Sequence, residues 1–153
     1  MPANLSAITR VMPQLVASAE LTVDTPGQGF TEITRAAAGF IAGAKALDGA
    51  LFLYLQHTSA SLVIQENADP DVQRDLMTAL RQIAPEDAGW VHTVEGPDDM
   101  PAHVKTMVTG VSLHVPVLDG RMALGTWQGI YLVEHRRRPH RRKIILQFVG
   151  NGR

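Results

Sequence analysis

The chain has 153 residues, 45% of them hydrophobic and 5% aromatic, with 14 Lys and Arg against 15 Asp and Glu and no cysteine. That length predicts one domain with an ordinary core of Leu, Ile, Val, Ala and Met. Without cysteine, disulfides and thiolate chemistry are excluded, and any metal site must use His, Asp, Glu or backbone oxygen.

No stretch approaches the ~18–20 apolar residues of a membrane span, and the N-terminus lacks the basic start and apolar run of a signal peptide. The protein is therefore expected to be cytoplasmic, with no membrane partner. Charge is unevenly spread: residues 134–143 hold six of the fourteen cations, leaving a body of eight cations and fourteen acids. That profile, in a basic run without interleaved aromatics, makes nucleic acid an unexpected partner.

Residues 1–14 are expected to form a loosely ordered N-terminus, and residues 15–153 a single domain. Segments 15–24 and 30–33 read as strands joined by the turn Pro26-Gly27-Gln28-Gly29. Thr34 is placed to cap a helix reaching about Leu47, with Ala37, Phe40, Ile41 and Ala44 on one face and Asp48-Gly49 as its end. Segments 51–57 and 61–66 read as strands. Asp69 followed by Pro70 is a helix start, cap then first helical position, and Val72, Leu76, Leu80 and Ile83 form its buried stripe. Residues 85–97 read as a loop, and Pro101 opens a short helix closed by Gly110. The remainder is β: 111–118, a turn at Asp119-Gly120, then 121–124, 128–134 and 143–149. This order predicts an α+β domain with a mostly antiparallel sheet and helices packed on one side.

Side-chain alternation places ionisable groups on apolar faces. His57 shares the face of Leu51, Leu53 and Leu55; Glu66 that of Leu62 and Ile64; Glu134 that of Ile130 and Leu132. Partly desolvated groups of this kind have shifted pKa values and mark candidate sites. Plainer roles compete with that reading. His57 can be a core histidine on a backbone carbonyl, Asp69, Asp98 and Asp99 can be helix caps, Asn67 a turn former, and Glu134 the partner of an arginine in the basic run. His57 and His103, with a carboxylate from Glu66, Asp98 or Glu134, would make a nitrogen–oxygen set for zinc or another divalent ion, although no local motif such as H-E-x-x-H supports it. His92 and His114 are lesser candidates.

Thr58, Ser59 and Ser61 offer hydroxyls and amides that can hold a phosphate or carbonyl oxygen. No G-x-S-x-G elbow, P-loop or G-x-G-x-x-G is present. Gly125-Thr126-Trp127-Gln128-Gly129 reads either as a pocket wall with a stacking ring and an amide, or as a bulge with a packed tryptophan. The basic run reads as a solvated hairpin tip with Pro139 in its turn, from which Arg137 or Arg141 can reach a phosphate-bearing ligand or a neighbouring subunit.

Five ordered blocks carry a resemblance: His57-Thr58-Ser59-Ala60-Ser61-Leu62, Glu66-Asn67-Ala68-Asp69-Pro70, Glu95-Gly96-Pro97-Asp98-Asp99-Met100-Pro101-Ala102-His103, Leu124-Gly125-Thr126-Trp127-Gln128, and Glu134. From about residue 21 to residue 150 the chain resembles the YjbQ family, small proteins whose members are described as secondary thiamine-phosphate synthases. The resemblance implies a compact YjbQ-like α+β fold, a symmetric oligomer, expected to be a homotrimer, and a site among the matched polar residues. It also implies a weak reaction that joins hydroxymethylpyrimidine diphosphate to a thiazole phosphate and releases pyrophosphate. The resulting expectation is a metal-assisted pocket. His57, Glu66, Asp69, Asp98 and Glu134 would be its catalytic groups, and Thr58, Ser59, Asn67, Trp127 and Gln128 would hold substrate. His57 and His103 would sit on a divalent ion, zinc or magnesium. The alternatives are a non-catalytic oligomeric module holding a small phosphorylated metabolite, and a purely structural role for these residues at subunit interfaces.

Overall fold

A computed structural model describes residues 2–153. Residues 2–14 are exposed and carry no regular secondary structure, with the Gln14 amide on the Gly150 carbonyl at 2.8 Å. The elements then run β1 Leu15–Thr25, β2 Gly29–Glu32, α1 Thr34–Gly43, β3 Ala46–Leu55, β4 Ala60–Glu66, α2 Pro70–Ile83, α3 Asp99–Thr109, β5 Ser112–Leu118, β6 Arg121–Met122, β7 Gln128–Glu134 and β8 His140–Gly152. The strands form two sheets, β1-β8-β3-β5-β6 and β2-β7-β4, and every pairing is antiparallel.

One apolar cluster joins the sheets. The larger contributes Leu51, Leu53, Leu55, Ile144, Leu146 and Phe148, the smaller Leu62, Ile130 and Leu132, and α1 adds Ala37 and Ile41. Each fully buried Leu, Ile or Phe side chain contributes roughly 1.5–3 kcal/mol. Alternation is clean in β3, where Phe52 and Tyr54 face outward. It vanishes in β7, buried from Gly129 to Glu134, because this central strand is covered on both faces. Helices α2 and α3 pack on the smaller sheet, against β2 and β4.

Several boundaries differ from expectation for identifiable reasons. Helix α1 stops at Gly43, not near Leu47, because Lys45 takes a left-handed φ of 53° and sends the chain directly into β3. Gly49 is no helix stop but a strand residue beside a register shift; a Cβ there would lie 2.2 Å from the Val149 carbonyl oxygen. Thr34 is not a cap. Ile33 occupies that position, and the Thr34 hydroxyl accepts the Ile130 amide at 2.8 Å, pinning the helix to β7. The basic run is not a hairpin tip, since β7 and β8 lie in different sheets and residues 135–139 cross between them. Helix α2 starts as read: Asp69 accepts the Asp71 amide at 2.9 Å and Pro70 follows.

Candidate functional site

At the start of α3, Asp99 and His103 are one turn apart and share a face. The loop before the helix brings His92 to the same point. His92 Nε2 lies 2.8 Å and His103 Nε2 3.1 Å from one oxygen of Asp99, Oδ2, and the three ligand atoms lie within 4.8 Å of one another. Around a tetrahedral zinc ion with 2.0–2.1 Å bonds, ligand atoms are spaced about 3.3 Å apart.

The surroundings fix these groups. His103 Nδ1 faces the Thr58 carbonyl at 2.8 Å. That nitrogen therefore carries a proton, which in the neutral ring leaves the Nε2 lone pair pointing at Asp99. Arg136 donates to the other Asp99 oxygen at 2.7 Å, so Oδ2 is left for the imidazoles. A lone pair facing a carboxylate oxygen is favourable only with a proton or a cation between them. An oriented imidazole and a clamped carboxylate are the usual supports of a metal site. Burial alone would raise the Asp99 pKa; the His92 hydrogen bond, His103 and Arg136 outweigh it and hold the carboxyl below its usual value.

Asp98 serves as an anchor for the crossover. It accepts from Arg136 Nε at 3.0 Å and from the Arg137 amide at 2.9 Å, and Arg136 also reaches the Glu95 carbonyl at 2.8 Å. Burial would raise its pKa, and the Arg136 and Arg137 hydrogen bonds lower it more.

Glu134 and Arg142 form a second, fully buried network. Glu134 Oε1 accepts from Arg142 Nε and from the Thr25 hydroxyl, both at 2.7 Å; Oε2 accepts from Arg142 Nη2 and, at 3.1 Å, from the Arg136 amide. Burial opposes the charge, but Arg142 and Thr25 keep the Glu134 carboxyl low. The same guanidinium donates to the Ser59 hydroxyl at 3.0 Å and its carbonyl at 3.2 Å, which turns Ser59 inward.

His57 joins this network and not the His92–Asp99–His103 group. Its Nε2 accepts the Lys143 amide at 2.8 Å, and Arg142 Nη1 approaches Nδ1 at 3.4 Å. The Lys143 amide takes the single lone pair of the neutral His57 ring, and the structure brings His92, rather than His57, together with Asp99 and His103. Burial, then Arg142, depresses the His57 pKa.

The remaining expected residues lie elsewhere. Glu66, Asn67, Asp69, Trp127 and Gln128 gather where β4 ends and β7 begins, whereas Thr58, Ser59 and Glu134 sit at the opposite end of the same pair. Six residue steps of strand separate the two groups by about 20 Å. Asp69 caps α2, Glu66 accepts the Asp69 amide at 3.2 Å, Gln128 accepts the Gly125 amide at 2.8 Å, and Trp127 is 64% exposed. Within one chain, Trp127, Gln128 and Asn67 therefore lie at the opposite end of β4 and β7 from Thr58, whose carbonyl His103 faces.

Two buried groups escaped the sequence reading. Lys105 is 3% exposed, and burial, only partly offset by Glu86, lowers its pKa. His135 is fully buried, with Nε2 2.7 Å from the Ser61 hydroxyl and Nδ1 without a partner. The Thr109 hydroxyl donates to the Lys105 carbonyl at 2.6 Å and so accepts from Ser61, which in turn accepts from His135 Nε2–H. Burial, then Lys105, pushes the His135 pKa down to about 4. Lys105 stands two residues after the His103 block. His135 follows the last matched residue, Glu134, where the expected strand ended.

An antiparallel α+β domain of two facing sheets, with a His–Asp–His group where α3 meets the crossover, is the class of protein defined so far. The family model described as UPF0047 protein YjbQ-like matches residues 19–151. The chain is 44% identical over 131 residues to the UPF0047 protein YjbQ of Salmonella typhimurium, spanning 85% of this chain and 95% of that one. A UPF0047 protein of Synechocystis is 52% identical over 103 residues, 67% of this chain and 70% of its own. The crystal structure of an uncharacterised conserved YjbQ/UPF0047 protein from Clostridium acetobutylicum is similar with a TM-score of 0.79 and 34% identity, covering 85% of this chain and 98% of that one. A YbjQ-like protein of unknown function from Sulfolobus solfataricus shares the fold with a TM-score of 0.83 at 23% identity, covering 90% of this chain and 99% of that one. The chain belongs to the YjbQ/UPF0047 family. Among the described residues, no helix is long and apolar enough to cross a membrane.

Proposed function

We propose that the protein holds a divalent cation between His92, Asp99 and His103 and uses it on a small phosphorylated molecule. The convergence of two imidazole nitrogens on one clamped carboxylate oxygen carries this reading. Two nitrogen donors with one carboxylate suit zinc better than magnesium, which prefers oxygen ligands and keeps its waters. Three protein ligands leave a fourth position for water or substrate, as catalytic zinc sites do.

The reaction to test first is the one the family resemblance implies, the joining of hydroxymethylpyrimidine diphosphate to a thiazole phosphate. A bound cation there supplies charge neutralisation for a departing pyrophosphate. This chain's residues orient: Thr58 fixes the His103 ring, Arg136 fixes Asp99, and Asp98 fixes Arg136. The assay incubates the two substrates with zinc-loaded protein and follows thiamine phosphate. Formation abolished by chelation and by His103→Ala supports the reading. Formation untouched by either contradicts it, and substrate bound but recovered unchanged favours the non-catalytic module.

A further inference from the structure

We propose that a second cavity, of about 420 Å3 around Lys105, is an anion subsite that takes the phosphate group of a small phosphorylated molecule. The assignment deepens the reading above by locating phosphate recognition, but it rests on this cavity's own residues.

Lysine is almost never buried without a partner, because a desolvated ammonium is costly. Lys105 is 3% exposed, yet among the described residues its ammonium makes no ion pair and no hydrogen bond. It lines the cavity together with Arg81 of α2 and Arg137 of the crossover. Among the described residues, the only carboxylate on the wall is Glu86, which Arg137 already engages. Three cations thus surround a space large enough for a phosphate with a small organic body, opposed by one committed carboxylate. Arginine forks and a lysine point charge are the usual phosphate donors.

The walls are built before any ligand arrives. The Thr109 hydroxyl holds the Lys105 carbonyl, and the Thr106 hydroxyl holds the Ala60 carbonyl at 3.2 Å, which fixes this turn of α3 on β4. Gln28 donates to the His135 carbonyl at 3.2 Å. At Gly27, whose φ is 143°, a Cβ would come within 2.7 Å of the Arg137 carbonyl oxygen, so the β1–β2 turn and the crossover pack backbone to backbone. Glu86 also lines the neighbouring cavity that His92 faces, which sets the anion subsite beside the metal group.

The test titrates inorganic phosphate, then pyrophosphate, into chelator-treated protein by isothermal calorimetry, so that the metal reading is not involved. Wild type should bind phosphate saturably. Lys105→Met and Arg81→Ala should each bind it about tenfold more weakly, the loss expected when one charged donor to an anion is removed. Arg81 is exposed, so its variant reports even if Lys105→Met does not fold. No saturable phosphate binding by wild type, or wild-type affinity in folded Arg81→Ala and Lys105→Met, would overturn the assignment. Metal content is measured separately, so either reading can fail alone.

Discussion

At the scale of single residues, neighbouring carboxylates meet different environments. Asp99 keeps one oxygen for two imidazoles, while Glu134 spends both oxygens on Arg142, Thr25 and a backbone amide. Removing one partner of a buried pair leaves the other charge uncompensated. Glu134→Gln should therefore cost about 3–5 kcal/mol of stability in urea unfolding. A cost under ~1 kcal/mol would mean that water reaches Arg142. The pH dependence separates two groups. His135 has a folded pKa of about 4 against 6.5 for a free histidine, so the unfolded chain takes up its proton first as pH falls. Stability should then drop by about 3 kcal/mol between pH 6.5 and 4. Glu134 is depressed from 4.5, so its contribution is complete above that pH and is lost only below it. Unfolding of His135→Phe across this range should show a flatter profile above pH 4.5. An unchanged slope there would remove His135 from the account.

At the scale of elements, what was legible in the sequence was whatever short-range chemistry determines. Asp69-Pro70 gave the start of α2, alternation gave β3's outward Phe52 and Tyr54, and Gln128–Glu134 matches β7 from end to end. The misplaced features depend on distant partners. The end of α1 is decided by strand pairing of Ala46 with Gly152, and the fate of the basic run by which sheet β8 joins. Arg136 and Arg142 were hidden in that run for the same reason, since their acids come from α3 and β7. His103 and the Asp98-Asp99 pair were visible as an unusual cluster, whereas the approach of His92 to Asp99 required the loop's path. One consequence is testable: Asp69→Ala should cost about 1 kcal/mol, the usual loss of a helix cap, and leave metal affinity unchanged. Loss of metal in a folded Asp69→Ala protein would contradict the separation of the two ends of β4.

At the scale of the whole molecule, the outer face of the five-stranded sheet is uncovered and mixes apolar with polar side chains. Strand register aligns Val16, Val149, Ala50 and Pro116 in one row, Ser18, Gln147, Phe52 and His114 in the next, and Glu20, Ile145, Tyr54 and Ser112 in a third. Val16, Phe52 and Tyr54 are among the exposed large hydrophobics. Exposed aromatic and aliphatic side chains on an open sheet face favour association, and we propose this face as the contact in the oligomer that the family resemblance implies. Phe52→Glu combined with Tyr54→Lys should then lower the mass measured by light scattering to that of a monomer. An unchanged mass would place the contact elsewhere.

The most direct test of the central claim is metal content by inductively coupled plasma mass spectrometry. It would be made on untagged, zinc-reconstituted protein, wild type beside Asp99→Asn and His57→Ala. The account predicts about one zinc ion per chain in wild type and in His57→Ala, and its loss in Asp99→Asn, because only Asp99 bridges the two imidazoles. Wild type without zinc, or equal zinc in Asp99→Asn, would contradict it.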